Sequence, residues 1–157
     1  MSSNALPLSI RPASAAQLSE IQDLARRTIN ACYRGFLGDE AVDWYVGSGA
    51  SDEHIEAQLA QENLYCLTQN EQIVGISILD GSTVDLIMID PGHHRQGLGR
   101  LLLSHAEETL FALHPRLQLE TFPGNASAVS FYESCGWTLE KRLEEDGLLK
   151  LVYQKTH

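Results

Sequence analysis

The chain has 157 residues, 43% of them hydrophobic and 20% charged, the proportions of one ordinary globular domain and not of a disordered, collagen-like or disulfide-stapled chain. Eleven Lys and Arg against twenty-one Asp and Glu leave a formal charge of −10, which argues against nucleic acid and suits a cationic partner such as a polyamine or a lysine side chain, although acidic surfaces more often serve only solubility. Cys32, Cys66 and Cys135 lie far apart without a C-x-x-C pair, and no basic leader or membrane-length apolar run is present, so a reducing cytoplasm, no zinc knuckle and no membrane are expected.

Residues 1–7 carry no pattern and are expected to be flexible. Leu8 to Arg11 alternates apolar and polar residues up to Pro12, which predicts a strand. Ser14 and Gln17 form a capping box, and Leu18, Ile21, Leu24, Ala25, Thr28 and Ile29 then follow the helical period to about Tyr33, before Gly35 and Gly38. Asp39 to Val46 reads as a shorter helix, and Ser51 with Asp52 and Glu53 opens another whose apolar face is Ile55 and Leu59.

The period then changes to that of strands. Leu64 to Thr68, Ile73 to Leu79 and Val84 to Ile89 are separated by Gln69-Asn70-Glu71 and Asp80-Gly81-Ser82, which predicts an antiparallel meander. Leu98 to Leu113 is an amphipathic helix with Leu101, Leu102, Ala106, Leu110 and Leu113 on the apolar side, Glu107 and Glu108 off it, and Pro115 as its stop. Leu117 to Phe122 is a strand, Ala126 to Cys135 a helix closed by Gly136, and Trp137 to Leu143 with Leu148 to Gln154 a hairpin around Asp146-Gly147.

The segment Ile89-Asp90-Pro91-Gly92-His93-His94-Arg95-Gln96-Gly97-Leu98-Gly99-Arg100 joins a strand directly to the amphipathic helix. Backbone N–H groups at a helix start lack intrahelical partners and sit at the positive end of the dipole, so such a loop can hold a pyrophosphate through main chain, with glycines allowing close approach. Gly97 and Gly99 alone are also what an ordinary tight turn needs. The Lys-Ser/Thr of a Walker loop and the third glycine of a Rossmann fingerprint are missing, which argues against a nucleotide hydrolase and a dehydrogenase.

His94-Arg95-Gln96-Gly97-Leu98-Gly99 resembles motif A of the GNAT superfamily, [Q/R]-x-x-G-x-[G/A], which binds the pyrophosphate of acetyl-CoA; histidine stands at its first position, and Arg95 or Arg100 is available to supply the positive charge. Asn125-Ala126 followed by Phe131-Tyr132-Glu133-Ser134-Cys135-Gly136-Trp137 resembles a later motif of the same family, and the element order resembles its fold over nearly the whole chain. The resemblance implies one α/β domain over residues 1–157, with a mixed central sheet of about six to seven strands flanked by helices. Its strands Val84–Ile89 and Leu117–Phe122 would splay to admit acetyl-CoA.

The resemblance further implies that Met88 and Ile89 offer main-chain hydrogen bonds to the pantetheine and acetyl groups, and that Asn125 binds the pantetheine side. His94, Arg95, Gln96, Gly97, Leu98, Gly99 and Arg100 would hold the pyrophosphate. An amine would attack the thioester directly, through a tetrahedral intermediate, with Tyr132 as general acid for the departing thiolate. Asp85 or Glu120 is the candidate base, either as a buried carboxylate or, on the alternative reading, as a side chain pointing to solvent.

Tyr33, Phe36, Trp44 and Tyr45 are candidates for an acceptor pocket, with Asp39, Glu40 and Asp43 nearby to suit a cation; core packing and a solvated charged face account for the same residues. His93 and His94 are adjacent and project differently, so no metal is expected; Cys135 has no His partner pattern and reads as a packed thiol. A small-molecule amine is the expected acceptor. A protein N-terminus or lysine, or a sensor that binds acyl-CoA without turnover, are the alternatives, and homodimers are common in the family.

Overall fold

Strand β1 (Leu8–Pro12) opens the fold, and the computed structural model describes residues 7–157, so all but Pro7 of the segment expected to be flexible lies outside the described residues. After β1, Gln17 folds back so that its side-chain oxygen accepts the Ser14 N–H at 2.9 Å, completing the capping box and starting a 3-10 turn that runs into helix α1 (Leu18–Cys32). The stripe of α1 is buried as its period predicts: Ile21, Leu24, Ala25, Thr28 and Ile29. Gly35 does not interrupt the chain; a short helix α2 (Arg34–Leu37) continues there, and Gly38, at φ 87°, makes the break before α3 (Asp39–Gly47).

Helix α4 (Ala50–Ala60) then leads into the meander β2 (Leu64–Gln69), β3 (Gln72–Asp80) and β4 (Thr83–Ile89). Helix α5 (Leu98–Phe111), β5 (Arg116–Thr121), α6 (Ala126–Ser134) and the hairpin β6 (Thr138–Glu145) with β7 (Leu148–Thr156) complete the chain. Asp146 at φ 53° and Gly147 at φ 77° form the tight hairpin turn that this dipeptide favours. The seven strands make one sheet in the order β1-β2-β3-β4-β5-β7-β6, antiparallel except between β4 and β5.

One face of the sheet carries α1, α3 and α4, with Ile21, Leu24, Val42, Ile55, Ile76 and Met88 in its core. The other carries α5 and α6, with Leu103, Ala106, Leu117, Leu119, Trp137 and Tyr153. Helix α5 sits so close to β3 that a Cβ at Gly75 would lie 2.7 Å from Ile89 Cδ1 and 3.1 Å from Leu102 Cδ1, which accounts for glycine in that strand.

The expected apolar stripe of α5 is corrected by this packing. The buried stripe is Leu98, Leu102, Leu103, Ala106 and Leu110, so Leu101 lies off it at 39% exposure, and Leu113, beyond the helix end, stays 77% exposed. Glu107, off the stripe as expected, accepts from Trp137 Nε1 at 3.1 Å and from Lys155 Nζ at 2.7 Å, clasping α5 to the hairpin.

Candidate active site

Strands β4 and β5 touch at one place. Thr83 pairs with Gln118, whose N–H donates to the Ser82 carbonyl at 3.1 Å, and beyond that point the two strands share no ladder. A parallel pair that parts after its first residues leaves backbone groups unpaired in the gap, the opening that an extended polar ligand can fill. A cavity of about 570 Å³ lies there, reaching from Ile87, Met88 and Ile89 of β4 to Asn125, Phe131 and Tyr132 of the β5–α6 loop and α6.

Which β4 groups face the gap follows from the β3 ladder. Asp90 N–H donates to the Val74 carbonyl at 2.8 Å, and Ile89 stands opposite Gly75 and Met88 opposite Ile76. Bonded and non-bonded pairs alternate along an antiparallel ladder, so Met88 is bonded to β3 while Ile87 and Ile89 turn their N–H and C=O groups toward β5. The Met88 main chain is thus engaged by β3, the free groups belong to Ile87 and to the Ile89 N–H, and Met88 buries its side chain against α1. At Ile89 the carbonyl is already taken, accepting a hydrogen bond from His94 Nε2 at 2.8 Å.

That bond gives His94 a definite task at the variant position of the motif: it ties the loop to the strand end. Arg95 at φ 65° and Gly97 at φ 77° both adopt left-handed backbone, curling the loop so that it enters α5 without a side-chain cap. The N–H groups of Leu98, Gly99 and Arg100 precede the first intrahelical donor, Leu101, which reaches Gly97 at 3.2 Å. At Gly99 a Cβ would meet nothing nearer than Phe131 at 3.6 Å, so the fold itself does not demand glycine there, and the bare surface faces the cavity. The loop thus fits a pyrophosphate: unpaired donors, the positive end of a fourteen-residue helix, and two arginines, Arg95 and Arg100, without a carboxylate partner among the described residues. Gln96 is the one member of the expected loop set that does not line the cavity.

Tyr132 closes the other end. Its ring stands 5.3 Å from Phe131 and 6.3 Å from Trp137, which fixes it in the cavity wall. Burial raises its pKa, helped by the nearby Tyr33 and Cys135, so the phenol keeps its proton across the neutral range, the state a proton donor must have. Tyr33 faces it from the end of α1, pushed up to about 12 by burial, and Thr28 and Cys32 line the same wall; the sequence had placed Tyr33 among acceptor aromatics but gave no sign of Thr28, Cys32 or Ser127. Phe36 continues the wall, 5.3 Å from Tyr33 and 5.8 Å from Phe122, and lies so tightly on Gly124 that a Cβ there would come within 2.7 Å of it. Asn125 also caps α6, its side-chain oxygen accepting from Ala128 N–H at 3.3 Å.

The two candidate bases do not line the cavity, and neither is buried. Of the two readings, the solvent-facing one holds for both, Asp85 beside α4 and Glu120 beside Lys150. Glu120 is 46% exposed on β5, 3.6 Å from Lys150. Asp85 is the extra residue of a β-bulge, between Val84 paired to Leu79 and Leu86 paired to Ile78, and its Oδ2 meets His54 Nε2 of α4 at 2.8 Å. The acidic run on α3 is likewise not free: Arg34 bridges Asp39 at 3.0 Å and Asp43 at 2.6 Å, while Trp44 beside them is 65% exposed. Tyr45 packs at the edge of the α1 core, near Asp85.

The family model described as an acetyltransferase (GNAT) domain matches residues 37–157. This chain belongs to the GNAT acetyltransferase family. It is 41% identical over 124 residues to the ribosomal protein bS18-alanine N-acetyltransferase of Escherichia coli, a match covering 76% of this chain and 81% of that protein. It is 34% identical over 93 residues to the peptidyl-lysine N-acetyltransferase YjaB of Salmonella typhimurium, covering 55% of this chain and 61% of that one, so less than two thirds of that relative's length is matched. Among solved structures, the PaiA N-acetyltransferase of Thermoplasma acidophilum, in complex with coenzyme A, shares the fold with a TM-score of 0.81 at 19% identity, over 96% of this chain and 99% of that one. Among the described residues no group of three or more His, Cys, Asp or Glu could hold a metal ion, and no helix is long and apolar enough to cross a membrane.

Proposed function

We propose that this GNAT chain is an acetyl-CoA-dependent N-acetyltransferase acting on an amine carried by a protein, either a lysine side chain or an α-amine. The observation that carries the reading is the gap between β4 and β5, which joins the unpaired N–H groups of Leu98, Gly99 and Arg100 at one end to the Tyr132 phenol at the other through one continuous cavity. The names of the relatives, one acting on a ribosomal protein's alanine and one on peptidyl-lysine, favour a protein acceptor over the expected small-molecule amine.

A thioester supplies an activated acetyl group; the rest is the work of this chain's residues. The α5 amides with Arg95 and Arg100 bind the pyrophosphate, and Ile87, with main chain turned into the gap, aligns the pantetheine and offers an N–H to the acetyl oxygen. Asn125 adds a contact from its amide nitrogen. Asp85, set back from the cavity, takes the acceptor's proton through a water, Tyr132 protonates the departing sulfur, and Tyr33 with Phe36 and Phe122 walls the other side of the reacting atoms.

The test begins with calorimetric titration by acetyl-CoA, expected to show one saturable site with a Kd in the micromolar range, about −8 kcal/mol at one micromolar. Thiol release is then followed with an alanine-initiated peptide, a lysine peptide and a polyamine. Binding without thiol release from any of them identifies a sensor and defeats the enzyme reading, and release with the polyamine alone restores the small-molecule acceptor.

A further inference from the structure

Asp85 and His54 are brought together by the sheet bulge. Along β4 the cavity reaches Ile87, and Asp85 lies two residues further back, about 7 Å at the strand rise, beside the helix-covered face that also carries Tyr33. The bulge breaks the alternation of β4 at this point, so Asp85 meets α4 and its carboxylate finds His54. Oδ2 is bonded to His54 Nε2 at 2.8 Å, while Oδ1 has no protein partner among the described residues. The pair is neither sealed nor free: the side chains are 39% and 33% exposed, so water reaches the rim.

Glu120, the other carboxylate near the gap, already faces the Lys150 ammonium. Asp85 is the one held by a titrating partner. We propose that His54 is the positioning residue for Asp85 in acyl transfer, fixing Oδ2 so that Oδ1 takes the acceptor's proton and sets the pH at which the enzyme becomes active. This rests on the acetyltransferase reading above. In the step, one N–H bond of the acceptor ammonium breaks, its electron pair becomes available for attack on the thioester, and the proton passes through a water bridging the distance to Oδ1 and then to solvent at the exposed rim.

The groups facing His54 are Asp85 from β4 and Asp80 from the end of β3, with Tyr45 of α3 also near Asp85. The Asp85 hydrogen bond raises the pKa of His54, burial opposing, so the imidazolium persists above the ordinary histidine range. A charged His54 places a cation 2.8 Å from the carboxylate that must receive the proton, and the neutral imidazole removes that opposing charge. Activity therefore rises with pH through the raised His54 pKa.

The experiment compares the wild type with His54→Gln and His54→Ala, measuring kcat/KM against pH with the best peptide acceptor and acetyl-CoA affinity by calorimetry. Glutamine keeps a donor to Oδ2 without titrating, so the acid limb is expected to move to lower pH while Kd holds within about twofold; alanine is expected to lower kcat about tenfold or more. In parallel, the His54 ring is titrated by NMR in wild type and Asp85→Asn, where its pKa is expected to fall. Unchanged limb and kcat in both His54 variants, or an unchanged His54 titration in Asp85→Asn, overturns the inference alone. A wild type that binds acetyl-CoA yet acetylates no amine overturns the acetyltransferase reading and this inference with it.

Discussion

Replacing Gly97 by alanine separates what the loop does for the fold from what it does for the donor. Gly97 sits at φ 77°, and a Cβ there would meet no atom within 4 Å, so the substitution adds no clash and its cost is conformational only. Left-handed backbone costs a residue with a Cβ about 1–2 kcal/mol, and in a chain of this size each kcal/mol lowers Tm by about 2–4 °C, giving an expected drop of about 2–8 °C. A loop that relaxes out of this conformation turns the Leu98 and Gly99 amides away from their common target. Each hydrogen bond lost to a charged group is worth about 1.5–3 kcal/mol, so acetyl-CoA affinity is expected to fall about tenfold or more. Gly97→Asn is the control, because asparagine tolerates this region and should preserve most of both quantities. Thermal unfolding and calorimetric titration of the three proteins read the two effects separately. If Gly97→Ala matches wild type in both, the left-handed turn is not what shapes the donor site and the reasoning fails.

Tyr132→Phe keeps the ring against Phe131 and Trp137 and removes only the hydroxyl, so stability and acetyl-CoA affinity should stay close to wild type while kcat falls about a hundredfold or more; an unchanged kcat in single-turnover thiol release assigns the proton to another donor. The His54–Asp85 bond also predicts a pH-dependent contribution to stability. A histidine whose folded pKa is raised stabilises the fold fully below its unfolded value of about 6.5 and loses that contribution as pH rises through the folded value. The Tm of wild type minus that of His54→Gln should therefore be larger near pH 5.5 than near pH 8.5, and a difference independent of pH, or one growing with pH, would show that the pair does not titrate as argued.

Much of the fold was legible because its signals are local. The capping box at Ser14 and Gln17, the meander turns, the Asp146-Gly147 hairpin and the break at Gly136 each depend on a few neighbouring residues, and the structure shows all of them. The donor loop was legible for the same reason, since its unpaired amides arise from a strand, a glycine turn and a helix start in immediate succession. Helix α5 shows where periodicity stops helping: the stripe was found, but whether Leu101 or Leu103 faces the sheet depends on how the helix rolls against β3, which the Gly75 notch decides.

What the sequence determined by itself is the kind of site: a strand–loop–helix built to hold an anion, a tyrosine at the end of a second motif, and an acidic chain around them. Only the tertiary structure decided which groups serve it. Ladder alternation set by Asp90 and Val74 turns Ile87, not Met88, toward the gap, and a bulge brings Asp85 to His54, thirty-one residues away. Arg34 closes over Asp39 and Asp43, and Tyr33 crosses from α1 to face Tyr132. These pairings turn on register, bulge and helix placement, which are set by long-range packing, and a shift of one residue in any of them would send the same side chains to the opposite face.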